Sequence, residues 1–132
     1  MRPDELNAIK TVLAKDPSIV FAYLYGSSKD SDVYNDIDIA VYSTDDSAAL
    51  RLSADLKIAF SEKTDRAPDR YDVRVINHLL RKGDLFALLY LREVLSCGTL
   101  LTDNDFQLRS TFIEDFGMKY RECEGLIAEV LA

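Results

Sequence analysis

The stretch YLYGSSKDSDVYNDIDIAVY, residues 23 to 42, decides the fold, because it contains the end of one strand, a short polar insert and the start of a second strand. Residues 18 to 25 are mostly apolar, and a run that is apolar on both faces predicts an interior strand covered on each side. Gly26 and Ser27 end this run. Residues 36 to 42 begin with alternating polar and apolar side chains, which predicts the second strand.

Two aspartates open the second strand. Residues i and i+2 of a strand point to the same face, about 6.6 Å apart along the chain, so Asp36 and Asp38 are predicted to face one way. Carboxylates this close repel each other unless a cation lies between them, and an all-oxygen ligand set favours a hard ion such as Mg2+. Asp72, on the polar face of a predicted third strand, is a natural further ligand if that strand lies beside the second. Three carboxylates would hold two ions roughly 3.5 to 4 Å apart, the arrangement that aligns an attacking oxygen with a phosphorus centre.

The turn between the two strands is suited to phosphate binding. Glycine leaves no side chain in the way, so backbone amides and the Ser27 hydroxyl can approach a polyphosphate closely. Lys29 would add a positive charge to the same phosphates. Gly26, Ser27, Ser28 and Lys29 are therefore the predicted nucleotide-binding residues, and the alternative for Ser28 and Lys29 is that they only complete a turn.

Periodic segments predict the other elements and a single domain across residues 1 to 132. The first is an amphipathic helix that starts at Pro3 and ends at Asp16-Pro17. A second helix, capped by Asp46 or Ser47, runs to about Lys63, and a strand follows from Tyr71 to Ile76. A further helix from Leu85 to Leu95 is opened by Asp84 and ended by Gly98 in the left-handed cap position, and a last helix runs from about Asp103 to Leu131 with a bend near Gly117. We expect an α/β fold: a short mixed sheet flanked by helices, with the site on one face and helices on the other, and a helical C-terminal third.

Composition restricts the class of protein. Hydrophobic residues make up 48% of the chain and charged residues 30%, which excludes disorder. The 16 basic and 23 acidic residues give a net charge of -7, so we do not expect binding of a nucleic-acid backbone to be the main function. No apolar run approaches the ~20 residues that span a bilayer, and we expect a cytoplasmic protein without membrane contact. Cys97 and Cys123 form no CxxC pair and are expected to be reduced, partly buried thiols that serve packing.

Several of these residues have a plainer interpretation. Asp36 and Asp38 would also suit the solvent-facing positions of a half-exposed strand. Asp72 could pair with Arg74 or Arg70, and Asp69 competes for its role.

Other features outside the carboxylate pattern also stay open. His78 has no ligand partner at suitable spacing, so we expect it at a helix start or on the surface. Tyr34 lies in the polar insert, where an exposed ring would touch a base. The apolar segment from residue 85 to 95 predicts either an oligomer or partner interface or burial by the last helix.

Residues 23 to 42 resemble the signature of the polymerase-beta-type nucleotidyltransferase superfamily, and the whole chain resembles its minimal, single-domain MNT branch. DVRVIN (residues 72 to 77) and GTLL (residues 98 to 101) also fit that branch. The resemblance implies that Ser27 holds the nucleoside triphosphate and that Asp36 and Asp38 bind two Mg2+ ions. It implies that Asp72 is the third carboxylate, which also binds metal and positions or activates the attacking hydroxyl.

The same resemblance implies a biological role. Many MNT proteins are antitoxins encoded beside a HEPN-domain ribonuclease, and some resemble enzymes that transfer AMP from ATP to a tyrosine of that toxin. We therefore expect a Mg2+-dependent nucleotidyltransferase that uses ATP, modifies a cognate HEPN toxin and forms a homodimer or hetero-oligomer.

Two other functions remain alternatives. The first is a catalytically degenerate antitoxin that acts by binding only, which is favoured because Lys29, Asp30 and Ser31 stand where the family usually has a second glycine. The second is a small-molecule nucleotidyltransferase of the antibiotic-modifying type.

Overall fold

The computed structural model describes residues 1 to 26 and 36 to 132. Within these ranges the chain forms one mixed four-stranded sheet of order β3-β2-β1-β4. β2 runs antiparallel to β1 and parallel to β3, and β4 pairs antiparallel with the other edge of β1. The strands are β1 Ile19–Tyr25, β2 Ile37–Ser43, β3 Tyr71–Val75 and β4 Thr99–Asp103.

Helices connect and cover the strands of the described part. They are α1 Pro3–Lys15, α2 Ala49–Thr64, α3 Leu79–Lys82, α4 Leu85–Cys97, α5 Phe106–Glu122 and α6 Glu124–Leu131. The short sheet flanked by helices and the helical C-terminal third are as predicted. None of the helices in the described ranges has the length and apolar character needed to cross a bilayer.

Apolar side chains are buried on both faces of the sheet. On one face, Ile9 of α1 and Phe60 of α2 pack against Ile39 of β2. On the other, Leu91 of α4 packs with Phe112 of α5 in a second buried cluster. The expectation of helices only on the face opposite the site is therefore wrong, because α4 and α5 cover part of the face that carries Asp38.

Helix α4 is mainly a core element. Leu88, Leu91 and Val94 are fully buried, and Phe112 of α5 lies in the same cluster as the last two. Burial by the sheet and α5 therefore accounts for most of this apolar segment, while Phe86 at its start remains 83% exposed.

The N-terminal caps of α4 and α2 can be compared with the predicted capping residues. Asp84 caps α4 as predicted, because its carboxylate accepts a hydrogen bond from the Ala87 amide at 2.8 Å. The cap before α2 is Asp45 instead of Asp46 or Ser47: it accepts from the Ser47 amide at 2.9 Å and opens a short 3-10 turn that precedes the helix.

Gly98 is not in the left-handed cap position that was predicted. Its backbone is extended, with φ −74° and ψ 161°. A Cβ atom there would overlap the Val94 carbonyl oxygen and lie 3.2 Å from the Leu24 carbonyl oxygen. Glycine is required here because two backbones approach closely.

Two further expectations for the C-terminal part are corrected. The last helical segment is not one helix from Asp103. Asp105 caps α5, and the helical segment is interrupted at Cys123, between α5 and α6, instead of bending at Gly117. Cys97 is exposed, so it does not serve packing, whereas Cys123 is partly buried.

Candidate active site

The parallel pairing of β2 and β3 brings two carboxylates together. Asp38 of β2 lies directly opposite Asp72 of β3 in the strand register. Their chain neighbours Ile37, Ile39 and Tyr71 are buried on the opposite face, so both aspartates project from the face away from that cluster. The strand adjacency on which the third carboxylate depended is therefore present.

Asp36 stands immediately before β2, and its charge acts on the same site. Burial, the charge of Asp72 and the charge of Asp36, in that order, raise the pKa of Asp38 above its usual range, and a hydrogen bond with Asp72 adds to the effect. Arg74 opposes this by favouring the charged form. Asp38 thus lies in a concentrated negative field.

The end of β1 closes the site from the other side. Tyr25 pairs with Asp38 in the antiparallel register, and the next residue, Gly26, has a φ of +80°. A Cβ atom at Gly26 would overlap the Asp38 carboxylate. The glycine is therefore required both by its backbone conformation and by the approach of Asp38.

Three side chains that the sequence analysis did not assign to the site border the carboxylates. The Tyr90 hydroxyl of α4 donates a hydrogen bond to the Tyr25 hydroxyl at 2.8 Å, and the two rings meet edge to face. The Arg74 guanidinium lies 4.7 Å from the centre of the Tyr90 ring. Arg74 could have been found from its position two residues after Asp72, and Tyr25 from its place before Gly26. No local signal marks Tyr90.

Ser27, Ser28, Lys29 and Tyr34 lie outside the described residues. His78 is exposed at the start of α3, as expected.

The rival carboxylate does not share the register position of Asp72. Asp69 is exposed in a short 3-10 turn before β3, whereas the strand register pairs Asp38 with Asp72.

The carboxylates have the donor chemistry of a magnesium site. Asp38 and Asp72 are adjacent all-oxygen donors whose mutual repulsion a cation would relieve, which fits a hard divalent ion. Within the part of the chain that the structure describes, no three His, Cys, Asp or Glu side chains are grouped closely enough to form a metal cluster by themselves. The charge of Asp36 nevertheless raises the pKa of Asp38.

Of the cavities lined by the described residues, the larger ones lie away from these carboxylates. One of about 420 Å³ lies between α3 and α5, lined by Tyr42, Phe112 and others, and contains none of the site aspartates. A smaller one, about 240 Å³, is lined by Arg74 and Tyr90 and borders the carboxylate face. Asp36 and Asp72 themselves are exposed.

Asp38 and Asp72 face each other on neighbouring strands beside Gly26, an arrangement that fits a nucleotidyltransferase-type domain. A family model described as Polymerase beta, Nucleotidyltransferase matches residues 7–107, and the chain belongs to this family. No curated protein matches the sequence.

Solved structures with a similar fold include chains from toxin–antitoxin complexes. One, from a complex of a tri-AMPylated Shewanella oneidensis HEPN toxin with an MNT antitoxin, is 24% identical, with a TM-score of 0.56 and 97% of each chain covered. Another, from a double Asp-to-Glu mutant of a MntA–HpeT complex, is 21% identical, with a TM-score of 0.57 and coverage of 97% of this chain and 98% of that chain. A third, from a toxin–antitoxin structure with AMP-PNP, is 21% identical, with a TM-score of 0.57 and full coverage of both chains. At these identities the similarity shows the fold.

Proposed function

We propose that this protein is a Mg2+-dependent nucleotidyltransferase that transfers AMP from ATP to a hydroxyl group, specifically a tyrosine of a cognate HEPN toxin, and so acts as an antitoxin. The observation that carries the proposal is the register pairing of Asp38 with Asp72, with Gly26 packed against Asp38. Family membership supports the reaction class. The AMPylated toxin and the AMP-PNP in structures of similar fold support the nucleotide and the partner. We place the protein in the cytoplasm, where ATP and Mg2+ are available.

Different residues are proposed to bind the triphosphate and to hold the metal. The turn that begins at Gly26 holds the triphosphate, with Ser27, Ser28 and Lys29 as the proposed phosphate contacts. Asp36, Asp38 and Asp72 are the residues that would hold the metal. Bound Mg2+ supplies the positive charge that screens the triphosphate from these carboxylates.

Asp72 is proposed to accept the proton of the acceptor hydroxyl. The acceptor oxygen forms a bond to the α-phosphorus, the bond from that phosphorus to the bridging oxygen of the β-phosphate breaks, and pyrophosphate leaves. Asp72 is exposed on β3, the edge strand of the sheet, so an acceptor carried by a second protein can reach it. This access favours a protein hydroxyl as the acceptor.

Mass measurement of the partner tests the proposal. The chain is incubated with ATP, Mg2+ and the toxin encoded beside it, and the toxin is then weighed. We expect the added mass of AMP with the native chain and with Asp69→Asn, but loss of at least 100-fold in rate with Asp36→Ala, Asp38→Asn and Asp72→Asn.

Two outcomes would contradict the transferase proposal: no AMP on the toxin, or an Asp36→Ala variant that protects cells from the toxin as well as the native chain does. The second outcome would favour an antitoxin that acts by binding alone, the function suggested by the missing second glycine after Gly26.

A further inference from the structure

Tyr90 contacts both sides of the carboxylate site from outside the sheet. Its hydroxyl lies 2.8 Å from the Tyr25 hydroxyl, at the end of β1. Its ring centre lies 4.7 Å from the guanidinium carbon of Arg74, on β3. The two contacts use different parts of one side chain, so they can be removed separately.

Each contacted residue is next to a part of the proposed machinery. Tyr25 precedes Gly26 and pairs with Asp38 in the strand register. Arg74 follows Asp72 by two positions and therefore shares its face of β3. β2, which carries Asp38, lies between these two strands.

The helix that carries Tyr90 is a firm support. Leu88 and Leu91 on α4 are fully buried, and Leu91 packs with Phe21 of β1 in the second core cluster. Tyrosine itself has two side-chain torsions, and here its edge-to-face contact with Tyr25, with ring centres 5.5 Å apart at 87°, restricts both.

We propose that Tyr90 is a positioning residue that holds the end of β1 and the carboxylate strand β3 at a fixed separation on either side of Asp38. The inference rests on the proposed transfer reaction and adds a residue to it. Transfer requires the bound nucleotide and the group that accepts the proton to keep a separation accurate to about an ångström, so a small shift lowers the rate of the chemical step more than it lowers nucleotide binding.

The test is a double-mutant cycle on the two hydroxyl groups, measured by AMP transfer to the partner protein. Tyr90→Phe removes the hydrogen bond but keeps the ring below Arg74, and Tyr25→Phe removes its partner. We expect each variant to lower kcat about tenfold with KM for ATP within about twofold of the native value. The double variant is expected to be no slower than either single variant, because all three lack the same bond.

The chain offers a matched control. Tyr120 of α5 also has a guanidinium over its ring, that of Arg92 at 5.9 Å from the centre. Tyr120→Phe is expected to leave kcat unchanged. Thermal unfolding of all variants separates positioning from folding, since a purely structural role would lower Tm and leave kcat and KM unchanged.

The outcomes distinguish this inference from the reaction on which it rests. Native kcat in Tyr90→Phe, or a double variant whose losses multiply, would overturn the positioning role while the transferase proposal stands. A native chain that transfers no AMP would overturn both.

Discussion

Asp38 is the residue on which the account depends most. Burial of its carboxylate raises its pKa most, and the charges of Asp72 and then of Asp36 raise that pKa further. Such an arrangement is unfavourable for the folded chain alone and becomes favourable when a divalent cation and a triphosphate are bound. On the proposed function, the site would lower stability in the absence of ligand, and bound ligand would restore it.

This cost predicts the direction of a pH effect. Because the pKa of Asp38 is raised in the folded protein, the folded state binds this proton more tightly than the unfolded chain does. The contribution of Asp38 to the free energy of unfolding should fall as pH rises from the unfolded pKa, near 3.8, through the raised folded pKa, and the loss should persist above it. Asp38→Asn should remove this part of the pH dependence and stabilise the metal-free protein at pH 7, by an amount that solvent screening of this partly exposed carboxylate keeps small.

Urea unfolding from pH 3.5 to 8, with and without Mg2+, measures the effect. Asp55→Asn on the exposed face of α2 is the control, because its carboxylate is 67% exposed beside Arg51. Mg2+ should stabilise the native chain more than it stabilises the Asp38→Asn variant. An Asp38→Asn variant with the native pH slope and the native response to Mg2+ would contradict the account.

At the scale of elements, local patterns were sufficient where the deciding contacts lie within a few residues. Alternation predicted β3 and the face of Asp72, and the capping side chain of Asp84 identified the start of α4. The pairing of Asp38 with Asp72 was predictable only as a condition, since strand adjacency is not a local property. The contacts of Tyr90 were not predictable at all, because they depend on where α4 packs.

The glycines also show that local sequence patterns do not predict contacts between distant parts of the chain. Gly98 was predicted from its place after a helix, but the structure explains it by the carbonyl oxygens of Val94 and Leu24, the second of which lies more than 70 positions away. Gly117 was predicted to mark a bend and lies within an unbroken α5.

Two alanine substitutions should therefore have opposite effects. Gly117→Ala should stabilise the protein by about 0.5 to 1 kcal/mol, because a Cβ atom there meets nothing within 4 Å and alanine favours helix. Gly98→Ala should destabilise it by about 1 to 3 kcal/mol, since the added atom overlaps the Val94 carbonyl oxygen. Thermal and urea unfolding measure both. The same sign for the two changes would show that this explanation of Gly98 is wrong.

A buried ion pair joins α1 to the segment that precedes β3. Arg66 donates to both carboxylate oxygens of Glu5, at 2.7 and 3.1 Å, and the Tyr71 hydroxyl lies 3.4 Å from the same carboxylate. Glu5 is only 3% exposed. Since Tyr71 directly precedes Asp72, this pair also anchors the start of the strand that carries the third carboxylate.

Removing the cation should be costly. Arg66→Ala should lower the free energy of unfolding by about 2 to 4 kcal/mol, because the Glu5 carboxylate would stay buried without its guanidinium. Arg51→Ala, which breaks an exposed contact with Asp55 at 3.9 Å, should change stability by less than about 0.5 kcal/mol. Urea unfolding compares the two. Equal effects would contradict a structural role for the buried pair.

At the scale of the whole molecule, helices bury both faces of the sheet, while Asp36, Asp72 and Gly26 remain accessible near one end of β1, β2 and β3. The formal charge of -7 is thus compatible with nucleotide chemistry, because the carboxylates that matter are those a cation would bridge.

A crystal structure of the chain with Mg2+ and a non-hydrolysable ATP analogue tests the central claim most directly. The account predicts the triphosphate beside Gly26 and a cation in contact with the carboxylates of Asp38 and Asp72 or Asp36. A nucleotide bound elsewhere, or a triphosphate site that leaves all three aspartates without a cation, would contradict it.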